Sequence, residues 1–527
     1  MGIYLNPGND GFSESVRSRI YVDKTGLIGC TNTLINTKEK YICISRPRRF
    51  GKSMALEMLA AYYSCGCDSR KLFEGLTIEK NDGYEEHLNQ YNVIFLNMQQ
   101  FLLGAENQFL TEYLEQEVLE ELLEEYKEYL TGTKKKLADT LKNIYAKTGK
   151  KFIFLIDEWD CVIRERQKDE KMQKQYLDFL RGLLKDQTYV AMAYMTGILP
   201  IKKYGEHSAL NMFWEYSMTD QNIFEEYTGF TDTEVKELCE RFDMDFTKTS
   251  DWYDGYKFRQ FRHIYNPRSV VGAMKFHHFS NYWTSTETYE ALKIYIDMNY
   301  DGLRADIVRM LGGAHVRVNT LSFQNDMRTF KTKDDVLTLL IHLGYLGYDV
   351  NKKEAFIPNK EIMGEFENAM SVGGWAEVMR VLNASEKLLE ATLLCDEKNV
   401  AEGLDQAHTE VASILTYNDE NSLACAVSLA YYSARKDYRM IRELPSGRGF
   451  ADIVFLPLPH TANNPALVVE LKYDKSADTA LQQIKDRNYV QSLEGFAGEI
   501  LLVGINYDKD SKEKTHSCLI ERYAKKE

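Results

Sequence analysis

The sequence predicts an α/β protein in which a mainly parallel sheet, followed by a helical lid, precedes a separate α/β unit near the C-terminus. Three observations carry that expectation. Apolar runs of strand length alternate with helical segments from Lys40 to Met195. Helical spacing then dominates. An apolar strand pair carrying charges returns in GFADIVFLPLPHTANNPALVVELKY.

Lys40 to Ser45 (KYICIS) has the composition of a short buried strand, and Lys52 to Ser64 (KSMALEMLAAYYS) the apolar spacing of a helix. Tyr91 to Asn97, Lys151 to Ile156 and Tyr189 to Met195 are three further apolar strands. The acidic stretch from Glu106 to Leu130 repeats Leu and Tyr at helical intervals, so its charges form a solvated face. Residues 1–230 thus form the core, and residues 231–330 a helical lid with aromatic clusters such as WYDGYKF from Trp252. Residues 331–385 contain a helix, a two-stranded turn and a second helix, the order of a winged helix; the scarcity of clustered basic residues favours a small packing domain instead. Trp375 to Thr416 is a helical connection. Residues 386–527 form the last domain, with a helix from Asp419 to Ser433 and strands at Gly449–Pro457 and Ala466–Tyr473.

The 527 residues carry a formal charge of −14, with 44% apolar and 27% charged residues. That is a globular composition, and the charge argues against a chain that coats nucleic acid in bulk while leaving a local basic cleft open. The nine scattered cysteines suggest neither a disulfide framework nor a zinc ribbon and fit a reducing cytoplasm. No N-terminal leader, myristoylation signal or membrane-length apolar run is present, so a membrane partner is not expected.

Between the first strand and the first helix lies SRPRRFGKSM. It ends as a phosphate loop ends, but in the pattern GxxxxGK[ST] the opening glycine is replaced by Arg46. Residues Arg46, Pro47, Arg48, Arg49, Phe50, Gly51, Lys52, Ser53 and Met54 are the candidate phosphate-binding set. Backbone amides at a helix N-terminus cradle phosphates, Lys52 neutralises charge, and Ser53 reaches Mg²⁺. The arginines would add positive charge beside the phosphates. FIFLIDEWD then delivers Asp157 and Glu158 at the C-terminal end of an apolar strand, where ligands bind in open α/β sheets. Asp157 is the candidate Mg²⁺ ligand, Glu158 the residue that orients the attacking water, and Thr196 either a sensor of the γ-phosphate or a turn residue.

YVDKT from Tyr21, SRPRRFGKS, KLFEGL from Lys71, LIDEWD, TGILPI from Thr196, YTGFTDTEV from Tyr227, WYDGYKF and YNPRS from Tyr265 together resemble the bacterial AAA-ATPase-like proteins. These are related to STAND and archaeal-type P-loop ATPases and pair such a domain with a C-terminal nuclease-like one. The resemblance implies a P-loop NTPase fold of the AAA type that binds ATP, and it makes the loop without its first glycine normal. Departures are Trp159 where Tyr is usual and Arg268 where an aromatic is common.

In the C-terminal unit, Asp452 lies on one strand and Glu470 and Lys472 on the next, with Glu470 and Lys472 on one face. Asp…ExK is the PD-(D/E)XK signature: two carboxylates hold Mg²⁺, or Mn²⁺, and a lysine positions water or stabilises the phosphorane. A salt-bridged Glu–Lys pair on a hairpin gives the same letters. Glu420, opening a helix, is a candidate extra carboxylate. Gln483, with Tyr489 beyond it, lies on a helix that packs beside the site in the domain it resembles. His277 and His278 cannot face one site from a helix, and Cys161 reads as a buried thiol.

The expected function is a cytoplasmic protein whose ATPase domain controls a Mg²⁺-dependent nuclease, with DNA or RNA as partner, self-association open, and a role in defence or mobile-element biology by analogy alone. The alternatives are an ATP-switched interaction protein with a non-cleaving nuclease-like domain, and a basal ATPase of protein complexes with the C-terminal domain as scaffold.

Overall fold

The computed structural model describes residues 2–105, 109–129, 136–201, 210–220, 223–283, 290–298, 300–372, 374–412, 414–415, 420–446, 449–493, 495–509 and 515–523. By packing, the chain divides into two units, residues 1–288 with 317–362 and residues 289–316 with 363–527. Residues 289–316, expected from sequence in the lid, therefore fall with the C-terminal unit, as do residues 363–385.

The first unit is built on strands β1 (Tyr41–Ser45), β2 (Asn92–Asn97), β3 (Phe152–Asp157), β4 (Val190–Gly197) and β5 (Trp214–Tyr216), in the order β2-β3-β4-β1-β5. Every neighbouring pair is parallel. β1, β3 and β4 are buried along their whole length, because helices cover both faces of a parallel sheet, and so they read as unbroken apolar runs. The short edge strand β5, with Trp214 exposed, gives no such signal.

Helix α1 (Lys52–Tyr63) leaves the loop after β1 and buries Leu56, Leu59, Tyr62 and Tyr63 in the main core. The acidic helix Leu110–Glu125 buries Leu110, Leu114, Val118 and Leu122, one residue per turn, which turns its glutamates to solvent. The short helix α2 (Cys161–Glu165) follows β3. In the lid, α3 (Pro267–Phe276) packs with Asp232–Phe242 and Phe246–Tyr253 around Val235, Leu238 and Val270. Helix α4 (Lys333–Leu343), an antiparallel pair Gly347–Asp349 and Glu354–Phe356, and helix Lys360–Ser371 come next.

In the second unit, helices Ala376–Leu393, Glu397–Val411 and α5 (Glu420–Ala430) precede a sheet of β6 (Tyr438–Ser446), β7 (Gly449–Pro457), β8 (Ala466–Tyr473), β9 (Ile500–Tyr507) and β10 (His516–Tyr523). The strands lie in sequence order, and only β8 and β9 run parallel, joined through α6 (Ala477–Asp486). Val454 opposes Val468 and Ile453 opposes Val469, so the next step of the register sets Asp452 opposite Glu470.

Candidate functional site

A cavity of about 1100 Å³ opens in the first unit at the C-terminal ends of β1 and β3. Arg48 to Met54 line it from the loop, and Asp157 and Glu158 from the end of β3. Gly51 caps α1 with φ of 84°, and a methyl built on it would touch nothing within 4 Å, so the glycine is there for its backbone conformation. Lys52 donates to the carbonyls of Arg46 (3.0 Å) and Pro47 (2.8 Å), and burial pushes its ammonium down against the pull of Glu158 and Asp157. Ser53 Oγ donates to Asp157 Oδ2 at 2.6 Å, which joins the loop to the end of β3.

Three of the residues expected to contact nucleotide lie elsewhere. Arg46 is fully buried: its guanidinium donates to the carbonyls of Ser45 (3.0 Å) and Tyr216 (2.9 Å) and to Thr228 Oγ1 (3.1 Å), and sits 4.7 Å from the centre of the Phe258 ring. Burial lowers it to about 10. It anchors the root of the loop and does not line the cavity. Pro47 is buried against Gly344. The loop turns without its first glycine because its left-handed residues are Arg49 (φ 67°) and Gly51. Thr196 is also buried and off the cavity; its hydroxyl donates to Asp157 Oδ1, so it orients the carboxylate. Phe50 lines the cavity, and its ring is packed edge-on against Tyr256 at 5.1 Å.

Glu158 has φ of 52°, a strained conformation for a side-chain-bearing residue, and its N–H donates to Asp157 Oδ1 at 3.0 Å. Arg164 of α2 grips its carboxylate and reaches Asp160 Oδ2 at 3.0 Å. Asp160 also accepts the N–H groups of Ile198 (3.0 Å) and Leu199 (2.7 Å) after β4. Burial raises Glu158 while Lys52 and Arg164 pull it down. Arg164, together with Arg268 and Lys275 of α3, lines the cavity. Sequence reasoning passed over all three, although Arg268 stands out there as a departure in YNPRS. Cys161 is buried, and burial pushes its thiol up.

In the second unit Asp452, Glu470, Lys472 and Gln483 converge. Lys472 Nζ donates to Glu470 Oε1 at 2.7 Å and to the Leu471 carbonyl at 3.1 Å. Gln483 donates to Glu470 and sits 3.1 Å from the Tyr489 hydroxyl. Asp452 Oδ2 accepts the Leu471 N–H at 2.7 Å. Glu470 is 1% exposed, and its Oε2 is buried with no hydrogen-bond partner. Burial, with the charge of Asp452 second, raises Glu470 to about 7 against the pull of Lys472. Residue 420 begins α5, but the Glu420 side chain, like Asp419, lies outside the described residues.

Divalent cations are compatible with both clusters. A hydroxyl and a carboxylate already touch in Ser53 and Asp157, and the second has an orphaned carboxylate oxygen beside another carboxylate. Among the described residues no group of three or more His, Cys, Asp or Glu side chains is placed to hold a metal. Among them, too, no helix is long and apolar enough to cross a membrane.

Residues 10–205 match the model of the family described as predicted AAA-ATPase, and residues 418–517 that of the PD-(D/E)XK nuclease superfamily. A relative from Azotobacter chroococcum mcd 1, described as an uncharacterized protein in the vnfD 5′ region, is 23% identical over 525 residues, 93% of either chain. Similar solved structures include AMPPCP-bound DnaA from Aquifex aeolicus, at 12% identity and a TM-score of 0.24 over 56% of this chain and 71% of that one. Another is ORC2 of Aeropyrum pernix in ADPNP–ADP complexes, at 10% identity and a TM-score of 0.25 over 68% and 98%. The loop cluster and the Asp452 cluster each fall inside one matched segment, and the chain thus carries a predicted AAA-ATPase domain followed by a PD-(D/E)XK nuclease superfamily domain.

Proposed function

We propose that the N-terminal domain binds and hydrolyses Mg·ATP, and that its nucleotide state controls metal-dependent hydrolysis of nucleic-acid phosphodiesters at the C-terminal centre. In the first domain the amides of Gly51 to Ser53 and the ammonium of Lys52 receive the phosphates, Asp157 and Ser53 hold the cation, and Glu158 orients the attacking water. In the second, Asp452 and Glu470 hold the cation, and Lys472 positions water and balances charge on the phosphorane. The cation supplies Lewis acidity and a more acidic bound water.

The observation that carries the nuclease reading is Glu470 Oε2, buried without a partner next to Asp452. A buried carboxylate oxygen left without a hydrogen-bond partner beside a second carboxylate is costly, and a divalent cation removes that cost. The test uses EDTA-treated full-length protein with labelled DNA and RNA, with and without Mg²⁺ or Mn²⁺. Cleavage that needs the metal and is lost in Asp452→Ala and Lys472→Ala supports the reading; activity unchanged in both sinks it.

A second reading, an ATP-switched protein that binds nucleic acid or a partner without cutting, is favoured by one observation. Only two carboxylates converge at the centre among the described residues, and no third acidic or histidine ligand joins them. Metal-dependent binding without product in the same assay selects it.

A further inference from the structure

The outward face of the phosphate loop is as fully engaged as the inward one is open. The Arg48 carbonyl accepts Trp283 Nε1–H at 3.2 Å and the Asn266 amide at 3.4 Å, and both donors are buried in the lid. Asn266 also caps α3, its Oδ1 accepting from Arg268 N at 2.9 Å. The Pro47 ring lies so close to Gly344, just past α4, that a methyl added there would meet it at 2.7 Å and the Trp283 ring at 3.2 Å. Tyr256, stacked edge-on against Phe50, donates its hydroxyl to the Gly344 carbonyl at 2.8 Å. Trp283 packs against Tyr345 at 5.1 Å, and its backbone N–H donates to Glu361 at 3.0 Å.

From these contacts we infer that Trp283, Asn266 and Gly344 are positioning residues for nucleotide binding. They hold Pro47 and Arg48 from outside, so that the amides of Gly51 to Ser53 stay aimed into the cavity in a loop that lacks its first glycine. Neither Trp283 nor Gly344 lines that cavity, so they act through the loop. Because coupling between sites is reciprocal, Mg·ATP that orders the loop also steadies the turn at the end of α4. The inference rests on the nucleotide-binding reading above.

The test measures Mg·ATP affinity, KM, kcat and melting temperature on the full-length chain for Trp283→Phe, Gly344→Ala and Gly149→Ala. Gly149 has φ of 68° and open space around it, so its alanine variant carries the left-handed strain and no contact with the loop. Both glycine variants lower the melting temperature, but only Gly344→Ala weakens Mg·ATP binding, by about tenfold if Pro47 is displaced by a strain like that of overpacking. Trp283→Phe removes one donor and raises KM by about threefold to tenfold, with a smaller change in kcat. Hydrogen exchange slows at residues 333–346 when Mg·ATP is added to the wild type. Wild-type affinity in both Gly344→Ala and Trp283→Phe, or exchange at residues 333–346 indifferent to Mg·ATP, overturns the inference. A wild-type chain that binds no Mg·ATP, or a Lys52→Ala variant that binds it normally, overturns the nucleotide reading itself.

Discussion

Ser53 Oγ and Asp157 Oδ2 lie 2.6 Å apart, a hydrogen bond between the first turn of α1 and the last residue of β3. A second hydroxyl, Thr196 from β4, donates to the other oxygen of the same carboxylate. The aspartate at the end of β3 is thereby fixed from α1 and from β4 before any ligand arrives.

Thr196→Val keeps the shape of the side chain and removes that donor. The expected result is a fall in ATP turnover of about tenfold with Mg·ATP binding largely kept, since one charge-assisted hydrogen bond is worth about 1.5–3 kcal/mol. Steady-state kinetics beside a binding isotherm check it. Equal losses in binding and turnover would mean that Thr196 acts on the ligand rather than on Asp157.

Arg164 bridges Glu158 and the fully buried Asp160. Removing one partner of a buried ion pair strands the other, so Arg164→Met should destabilise the protein by about 3–5 kcal/mol. Chemical denaturation measures this, and a loss below about 1 kcal/mol, the range of exposed pairs, would contradict the buried network.

Arg46→Gly restores the glycine that the usual loop pattern contains, yet it removes three hydrogen bonds and a ring contact from a buried site. The expected outcome is a lower melting temperature, by a stability loss of about 3 kcal/mol, with no gain in Mg·ATP affinity. Tighter binding by this variant would show that the consensus turn was missing after all.

Glu470 is raised from 4.5 to about 7, chiefly by burial. Across that window the folded chain holds a proton that the unfolded chain has lost, so stability falls as pH rises from 4.5 to about 7. Without metal, Glu470→Gln should therefore be more stable than wild type at pH 8, by up to about 3 kcal/mol, and the difference should shrink toward pH 4.5. Melting in EDTA across this range tests the sign. A variant less stable than wild type at pH 8 would contradict the cost assigned to this carboxylate.

The buried parallel strands were legible because burial on both faces leaves no polar residue to break the run, and β7 and β8 were legible from apolar stretches ending at Pro457 and Tyr473. β6 was not, since only its end residues Tyr438 and Ser446 are buried and it includes Pro445, and the apolar β9 went unread although ILLVGINY is a plain signal. The positions of Asp157, Glu158, Asp452, Glu470 and Lys472 were legible because strand ends and strand alternation fix where side chains go. Arg46 was misplaced because the pattern records which residue stands at a position and not which residues turn the chain; the turn falls on Arg49 and Gly51. Asp160 gave no sign, because its partners are the backbone amides of residues 198 and 199 and the side chain of Arg164, which was itself passed over.

The most direct measurement is phosphodiester cleavage by the full-length chain with Mg²⁺ or Mn²⁺, in the presence of ATP, of AMPPCP and of no nucleotide, for wild type, Lys52→Ala and Asp452→Ala. The expected result is cleavage whose rate depends on nucleotide in the wild type, loses that dependence in Lys52→Ala, and disappears in Asp452→Ala. Cleavage that survives Asp452→Ala, or that proceeds at one rate whatever nucleotide is present, would contradict it.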